Sequence, residues 1–208
     1  MNEVRADDNP VLPWRYSALN VFLALLIFCG LGAGIGYYVG NSTSEIAHNN
    51  VDTGFLQDMR IHHEQAVVMS TIYLGAAPNG NGTLRTIARE IMLEQQMETG
   101  RMVQLLRMFG ASETNASDQV MGWMGTPIPL SRMPGYATDS ELDALYQSRN
   151  AEADSLFITL MIAHHKGGVH MAKYAAENGE NAEVKAFAEL IVESQSSEIG
   201  ELTRLQNA

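Results

Sequence analysis

Two stretches of the chain decide its fold, and they are copies of each other. Residues 52–72 read DTGFLQDMRIHHEQAVVMSTI, and residues 154–174 read DSLFITLMIAHHKGGVHMAKY. A shift of 102 residues superposes the two stretches, and seven of the 21 positions are then identical. A second pair of stretches, residues 87–106 and 187–206, superposes at a shift of 100 residues. The near-constant shift indicates that one unit was duplicated as a whole.

The positions shared by the copies have helical spacing. In the first stretch they follow one another by three or four residues: Asp52, Phe55, Met59, His62, Ala66 and Met69. The second stretch and the two stretches that follow have the same spacing, which is typical of the face that a helix turns toward its partners. One two-helix unit cannot bury its apolar stripes alone. The sequence therefore predicts an all-α fold, an antiparallel four-helix bundle built from a duplicated two-helix unit.

The composition excludes some classes of partner and site. The 208 residues have a formal charge of -11, which argues against a nucleic-acid partner and favours cations. The chain has 12 methionines but only one cysteine, Cys29, which lies in the apolar segment near the N-terminus. The rest of the chain therefore has no disulfide and no thiolate metal site.

A membrane anchor is predicted near the N-terminus, because no charged residue occurs from Ala18 to Val39. About 20 apolar residues span a bilayer, whereas the apolar core of a cleaved signal peptide has about 7–15. We interpret residues 17–40 as an uncleaved transmembrane helix in the lipid bilayer; a signal peptide and lipid attachment at Cys29 are the alternatives. Arg5 and Arg15 precede this segment. The positive-inside rule then predicts a single-pass protein of the cell membrane, with a cytoplasmic tail (residues 1–16) and residues 41–208 outside the cytoplasm.

Three glycines follow one another at four-residue spacing in the predicted anchor: Gly32, Gly36 and Gly40. Such a stripe lets another transmembrane helix approach closely, which predicts a membrane protein complex, such as a respiratory oxidase, as a partner. The alternative is that glycine is simply common in membrane helices.

The remaining chain divides into four predicted segments. Residues 41–50 form a polar tether, residues 51–110 the first helical repeat, residues 111–138 a crossing loop and residues 139–208 the second helical repeat. Thr83 is a predicted cap for the second helix of the first repeat, and Thr138 with Glu141 has the spacing of a capping box. The crossing loop contains enough apolar side chains to pack on the bundle: Met121, Trp123, Met124 and Met133.

The adjacent histidines in each copy are predicted to point in different directions. Successive helical side chains diverge by about 100°, so His62 is expected to face the bundle axis and His63 a neighbouring helix. Met59 lies one turn before both and can share an ion with either. Met69 lies about 10 Å farther along the axis and is expected to belong to a different layer. The second copy repeats this pattern.

Imidazole and thioether groups without thiols suit copper, especially Cu(I). The candidate metal ligands are Met59, His62, His63, Met69, Met161, His164, His165 and Met171. The alternative is structural, because methionine fills gaps in cores and buried histidines usually form hydrogen bonds. In that case the hydrogen-bond partners would come from the following helices: Gln95, Glu98, Gln195 and Glu198.

These residues resemble the domain-of-unknown-function 305 family. The resemblance covers about residues 50–208 and includes both histidine-pair runs, the Gln/Glu pairs that follow them, and the sequences MGWMG from Met121 and MPG from Met133. It implies a ferritin-like helical bundle, secreted or membrane-anchored, and copper binding outside the cytoplasm through the eight candidate ligands. The chain departs from the family pattern at Gly168, where alanine is usual, and at Lys166 beside the second histidine pair.

We therefore predict a membrane-anchored, extracytoplasmic protein, not an enzyme, that sequesters or delivers copper. One alternative is an accessory subunit of a membrane respiratory complex, such as a cytochrome oxidase, without catalysis of its own. A ferritin-like metal oxidase is the other alternative. It is disfavoured because such sites use Glu-x-x-His motifs, which the two histidine-pair helices lack.

Overall fold

The structure is a computed structural model that describes residues 18–41, 46–115 and 118–208. The predicted tail (residues 1–16) and part of the predicted tether lie outside these residues. The described chain forms two units, one before residue 46 and one comprising Ile46–Ala208.

The first unit contains one helix, α1, which comprises Ala18–Asn41. Its segment Ala18–Tyr38 has a mean hydropathy of 2.3 and is long and apolar enough to cross a membrane. It is the one such segment among the described residues. By length and composition α1 is thus a candidate membrane anchor or signal peptide.

The second unit is the expected four-helix bundle. Its long helices are α2 (Asn50–Ala76), α3 (Gly82–Met108), α5 (Ala151–Asn178) and α6 (Ala182–Gln206). Helices α2 and α3 form one hairpin, α5 and α6 form the other, and α2 packs against α5. The duplicated sequence thus folds as two similar helical hairpins.

Asparagines cap three of the long helices. The side chain of Asn49 caps α2 and Asn181 caps α6. The predicted cap Thr83 is wrong, because α3 begins at Gly82 and the Asn81 side chain accepts the Leu84 N–H at 3.1 Å. Asparagine is among the strongest N-cap residues, so it defines the first turn and leaves Thr83 inside the helix.

Two apolar clusters fill the bundle, one at each end. The loop cluster contains residues from the N-terminal half of α2 and the C-terminal half of α5, including Phe55 and Ala175. The α4 cluster, named after the short helix α4 (Asp139–Gln147), contains residues from the opposite halves of the same helices, including Tyr73 and Phe157. Because the N-terminal half of α2 packs with the C-terminal half of α5, the two helices are antiparallel.

The described residues of the crossing loop, 111–115 and 118–138, pack on the bundle, as its composition predicts. It contains a two-stranded antiparallel ribbon of β1 (Gln119–Val120) and β2 (Ile128–Pro129), and two single 3-10 turns. A short helix, α4 (Asp139–Gln147), follows with the predicted capping box of Thr138 and Glu141. The loop covers one face of the bundle between the two hairpins.

Candidate metal centre

Four histidines form a layer in the middle of the bundle. Helix α2 supplies His62 and His63, helix α5 supplies His164 and His165, and all four side chains are fully buried. The rings of His62 and His164 are stacked, with their centroids 3.7 Å apart and their planes inclined by 26°. This contact confirms that His62 and His164 meet at the interface of the two copies.

Each ring places Nε2 next to an oxygen atom. Nε2 of His62 lies 3.3 Å from Pro134 O, and Nε2 of His164 lies 2.9 Å from His62 O. Nε2 of His63 lies 2.7 Å from the Glu98 carboxylate, so His63 faces a neighbouring helix as expected. Because carbonyl and carboxylate oxygens accept hydrogen bonds, Nε2 carries the proton in these three rings.

His165 differs slightly from His63. Its Nε2 lies 2.6 Å from Oε2 of Glu198, but the angle does not allow a hydrogen bond. Both ring nitrogens of His165 are therefore buried without a hydrogen-bond partner.

The Nδ1 atoms of all four histidines are buried and have no hydrogen-bond partner. Buried polar atoms are usually paired, so four unpaired atoms of one kind in one layer need an explanation. Histidines that bind metals usually direct the second ring nitrogen to a carbonyl or carboxylate, which fixes the tautomer. The rings of His62, His63 and His164 have this arrangement, with Nε2 next to an oxygen and the Nδ1 lone pair left for a ligand.

Burial keeps the central rings neutral. Loss of solvation, and then the charge of the neighbouring His63, lower the pKa of His62 to about 3. Burial and then the neighbouring His62 lower the pKa of His164 well below its usual value. Since only a neutral imidazole binds a metal, the two rings remain competent ligands in mildly acidic solution.

The four candidate methionines are fully buried and divide between the two clusters. Met59 and Met171 lie in the loop cluster, whereas Met69 and Met161 lie in the α4 cluster. Met69 thus belongs to a different layer from Met59, as its spacing predicts. Each side of the histidine layer receives one methionine from α2 and one from α5.

No preformed metal site of imidazoles and carboxylates exists in the described parts of the chain, where no three His, Cys, Asp or Glu side chains are grouped to hold an ion. A metal in the layer would need thioethers to complete its ligands. The methionines on either side supply these, and the combination of imidazole and thioether suits Cu(I). The residues present therefore fit copper better than a hard cation such as Mg²⁺.

Three carboxylates gather beside the layer, where α3 and α6 approach each other. Glu98 and Glu198 contact the lateral histidines. Burial raises the pKa of Glu94, and the charges of Glu198 and Glu98 raise it further. This concentration of negative charge attracts cations to the edge of the layer.

The glutamines expected to bond the histidines do not do so. The side-chain amides of Gln95 and Gln195 are buried without hydrogen-bond partners. The Gln195 amide occupies the space that a Cβ atom at Gly168 would need. The departure from alanine at Gly168 therefore makes room for Gln195. Lys166, the other departure, is exposed and points away from the layer.

Sequence reasoning missed the residues that attach the crossing loop. Fully buried Asp58 accepts hydrogen bonds from the Met121 N–H at 2.6 Å and from Trp123 Nε1 at 2.7 Å, and it also contacts Asn115. Burial raises the pKa of Asp58, and the hydrogen bonds oppose this effect. The Gln65 amide forms two hydrogen bonds of 2.7 Å with the backbone of Ala137. One feature of the sequence could have revealed Asp58 and Gln65: neither is repeated, because the second copy has Leu160 and Gly167 at the corresponding positions.

The model of the domain of unknown function DUF305 matches residues 52–206. The chain belongs to the DUF305 family. This match covers both hairpins and the crossing loop, and it confirms the resemblance inferred from the histidine pairs. No curated protein matches the chain.

Solved structures of the family share this fold. A DUF305 protein of Streptomyces coelicolor, described as secreted, is 36% identical, with a TM-score of 0.68 over 74% of this chain and 91% of its own. A DUF305 fragment from Deinococcus radiodurans is 27% identical, with a TM-score of 0.64 over 76% and 97%. CopM in its Cu(I)-bound form is 28% identical, with a TM-score of 0.56 over 75% and 95%. CopM also has Cu(II)-bound and Ag-bound structures.

Proposed function

We propose that this protein binds copper between the two hairpins of its bundle, outside the cytoplasm, and sequesters or delivers it while anchored to the membrane by α1. The single observation that carries the proposal is the set of four buried Nδ1 atoms without partners. A purely structural layer would leave these atoms unsatisfied at a cost of about 1–3 kcal/mol each. Binding of a metal by the lone pairs removes that cost.

The geometry supports two groups of ligands related by the duplication. Met59, His62 and His63 lie within about one turn of α2, and Met171 lies with Met59 in the loop cluster. Met161, His164 and His165 lie within about one turn of α5, and Met69 lies with Met161 in the α4 cluster. Each group offers imidazole nitrogen and thioether sulfur, which together favour Cu(I) over harder ions.

Two carboxylates, Glu98 and Glu198, support the proposed metal site. Glu98 accepts the Nε2 proton of His63, and Glu198 lies next to Nε2 of His165. Such partners orient an imidazole and raise its basicity, which strengthens its bond to a metal. The side chains of Glu98 and Glu198 are 10% and 16% exposed, so they connect the layer with solvent. We assign them the roles of positioning residues and of an entry point for cations.

The relatives support the choice of metal. CopM shares the fold, is 28% identical over 75% of this chain, and is known in Cu(I)-bound form. The absence of cysteine after Cys29 fits a site that works outside the cytoplasm, because thioethers and imidazoles do not form disulfides. The apolar helix α1 would keep such a site next to the membrane.

Competition for Cu(I) with a chromogenic chelator tests the proposal. We would compare the full-length protein in detergent with the variant His63→Gln/His165→Gln, because glutamine keeps an N–H donor for the carboxylates but lacks the imidazole. His170→Ala is the matched control, since His170 is exposed on α5 outside the layer. We expect the Cu(I) affinity of the double variant to fall by more than roughly tenfold. Replacing a residue that only orients a metal ligand already lowers metal affinity by about tenfold or more, so the loss of two ligands should lower it at least as much.

Circular dichroism would establish that each variant remains folded. Cu(I) affinities that are equal in the double variant and in His170→Ala would contradict the proposal. In that case the layer is structural.

A further inference from the structure

Methionines are unevenly distributed between the two apolar clusters. The loop cluster contains five fully or almost fully buried methionines: Met59, Met102, Met121, Met133 and Met171. The α4 cluster is of similar size but contains only Met69 and Met161. The α4 cluster is filled mainly by leucine, isoleucine and alanine. The need to fill space therefore does not by itself explain the additional methionines of the loop cluster.

The three additional methionines have no counterpart in the duplicated unit. Met102 corresponds to Leu202 in the second repeat, and the crossing loop that contains Met121 and Met133 occurs only once. The duplication therefore does not explain them. They lie on only one side of the histidine layer.

Each of the three methionines is fixed close to the histidine layer. The backbone N–H of Met121 bonds to Asp58, the residue before Met59. Met133 precedes Pro134, whose carbonyl oxygen contacts Nε2 of His62. Met102 lies one turn beyond Glu98, the partner of His63. The three methionines thus belong to the loop cluster, and each lies next to a residue that contacts the histidine layer or the residue beside Met59.

The backbone conformation of Met121 also indicates a role for its side chain. Met121 has a φ of +66°, a left-handed conformation that glycine adopts more easily. A side chain there costs about 1–2 kcal/mol, and such residues concentrate at functional sites. The side chain of Met121 is 5% exposed and directed into the loop cluster. A strained position that nevertheless has a long thioether is consistent with a use for the sulfur.

We propose that Met102, Met121 and Met133 form a thioether site for a soft monovalent cation, Cu(I) or Ag(I), on the loop face of the histidine layer. The site extends the copper-binding function but does not require the imidazoles. Thioethers select soft ions, whereas hard divalent cations prefer oxygen ligands. The two ends of the bundle then differ in chemistry, and the loop end holds the softer site.

Titration of the full-length protein in detergent with Ag(I) tests this site, because Ag(I) is soft and does not change its oxidation state. The readout is the NMR signal of the ε-methyl group of each methionine. We expect the methyl signals of Met102, Met121 and Met133 to shift on saturation. Met97 is 72% exposed and lies outside both clusters, so its methyl signal serves as the internal control.

Two variants keep the test independent of folding. Met121→Leu/Met133→Leu preserves apolar volume, and Met102→Leu installs the residue that the second repeat already has at Leu202. We expect each to weaken Ag(I) binding at the loop site by more than roughly tenfold, relative to Met97→Leu. Methyl signals of Met102, Met121 and Met133 that do not move at saturating Ag(I) would overturn the inference.

The histidine nitrogens separate this inference from the proposed function. Shifts of the three methyl signals without any shift of histidine Nδ1 would support the thioether site and contradict the imidazole site. The opposite pattern would support the imidazole site alone and overturn the thioether site.

Discussion

The two helical repeats supply identical histidine pairs, but the residues beside those pairs differ. In the first repeat Asp58 and Gln65 bind the crossing loop through its backbone. In the second repeat the corresponding residues are Leu160 and Gly167. A Cβ atom at Gly167 would collide with the Pro134 carbonyl, so the loop rests directly on the backbone of α5. One repeat binds the loop with polar groups, and the other accommodates it by lacking a side chain.

This difference shows how a duplicated unit becomes asymmetric without losing its central layer. The central histidines of the two repeats still meet, as the stacked rings of His62 and His164 show. The loop then covers one side and adds Met121 and Met133 there.

The largest effect is expected from Asp58→Ala. The change removes a buried acceptor and leaves the Met121 N–H and the Trp123 indole N–H without a partner. Each unsatisfied buried donor costs about 1–3 kcal/mol, so we expect a loss of about 3 kcal/mol or more in the free energy of unfolding. Urea denaturation measures it. Asp58→Asn retains one acceptor oxygen and should lose less; an equal loss in both variants would argue against the hydrogen bonds as the cause.

Adjacent glycines on α5 provide a matched pair of variants. Gly167→Ala would push against the backbone of Pro134, which cannot move without shifting the loop, and we expect a loss of about 1–3 kcal/mol. Gly168→Ala would meet only the end of the flexible Gln195 side chain and gains about 1 kcal/mol in helix propensity. We therefore expect thermal melts to show a clear loss for Gly167→Ala and almost none for Gly168→Ala. The reverse order would mean that the loop does not rest on α5 as described.

The pH dependence of the free energy of unfolding tests whether His62 and His164 contribute alike in the two repeats. The folded-state pKa values of His62 and His164 are lowered, to about 3 for His62, against about 6.5 in an unfolded chain. Between these values the unfolded chain binds more protons, so the stability from these residues is complete above pH 6.5 and declines as the pH falls. We expect a slope of up to about 1.4 kcal/mol per pH unit for each histidine.

Unfolding of the metal-free protein in urea from about pH 7.5 to about pH 5.5 measures this slope around the unfolded-state pKa. His62→Gln and His164→Gln should each reduce the slope by a similar amount, whereas His170→Ala should leave it unchanged. If only one of these two variants changed the slope, His62 and His164 would not contribute alike to stability, which would contradict the prediction.

The smallest effect is expected from the methionines of the loop cluster in the absence of metal. Met102→Leu conserves volume in an apolar cluster, so we expect a change below about 1.5 kcal/mol in the free energy of unfolding. The thermal melt of the metal-free protein checks this. A greater loss would mean that Met102 is a packing residue whose shape leucine cannot replace, and the loss of Ag(I) binding would then have a structural origin.

Local patterns in the sequence predicted the repeats, the four long helices and the meeting of the histidines. Helical periodicity and capping residues are local properties, and duplication makes each copy a check on the other. The direction of His63 followed from the geometry of adjacent helical residues, and its contact with Glu98 agrees. The error at Thr83 was a shift of the helix start by a few residues, where two good caps compete.

The attachment of the crossing loop could not be predicted from the sequence. Asp58 lies 63 residues before its partner Met121, and no periodic pattern marks contacts over such a separation. The choice of Glu98 and Glu198 over the two glutamines as neighbours of the lateral histidines depends on how the two helices of each hairpin pack against each other. The Gln195 amide packs against Gly168 instead, a contact that the packing of α6 on α5 defines.

Nitrogen NMR can show whether the Nδ1 atoms of the buried histidines are the metal ligands. Long-range proton–nitrogen spectra of the protein labelled with ¹⁵N on histidine distinguish Nδ1 from Nε2 in every ring, before and after Ag(I) is added. We expect the Nδ1 signals of the buried histidines to shift on saturation while their Nε2 atoms remain protonated toward Pro134, His62 and Glu98. Unchanged Nδ1 signals at saturating Ag(I), or shifts confined to the exposed His170, would contradict the account.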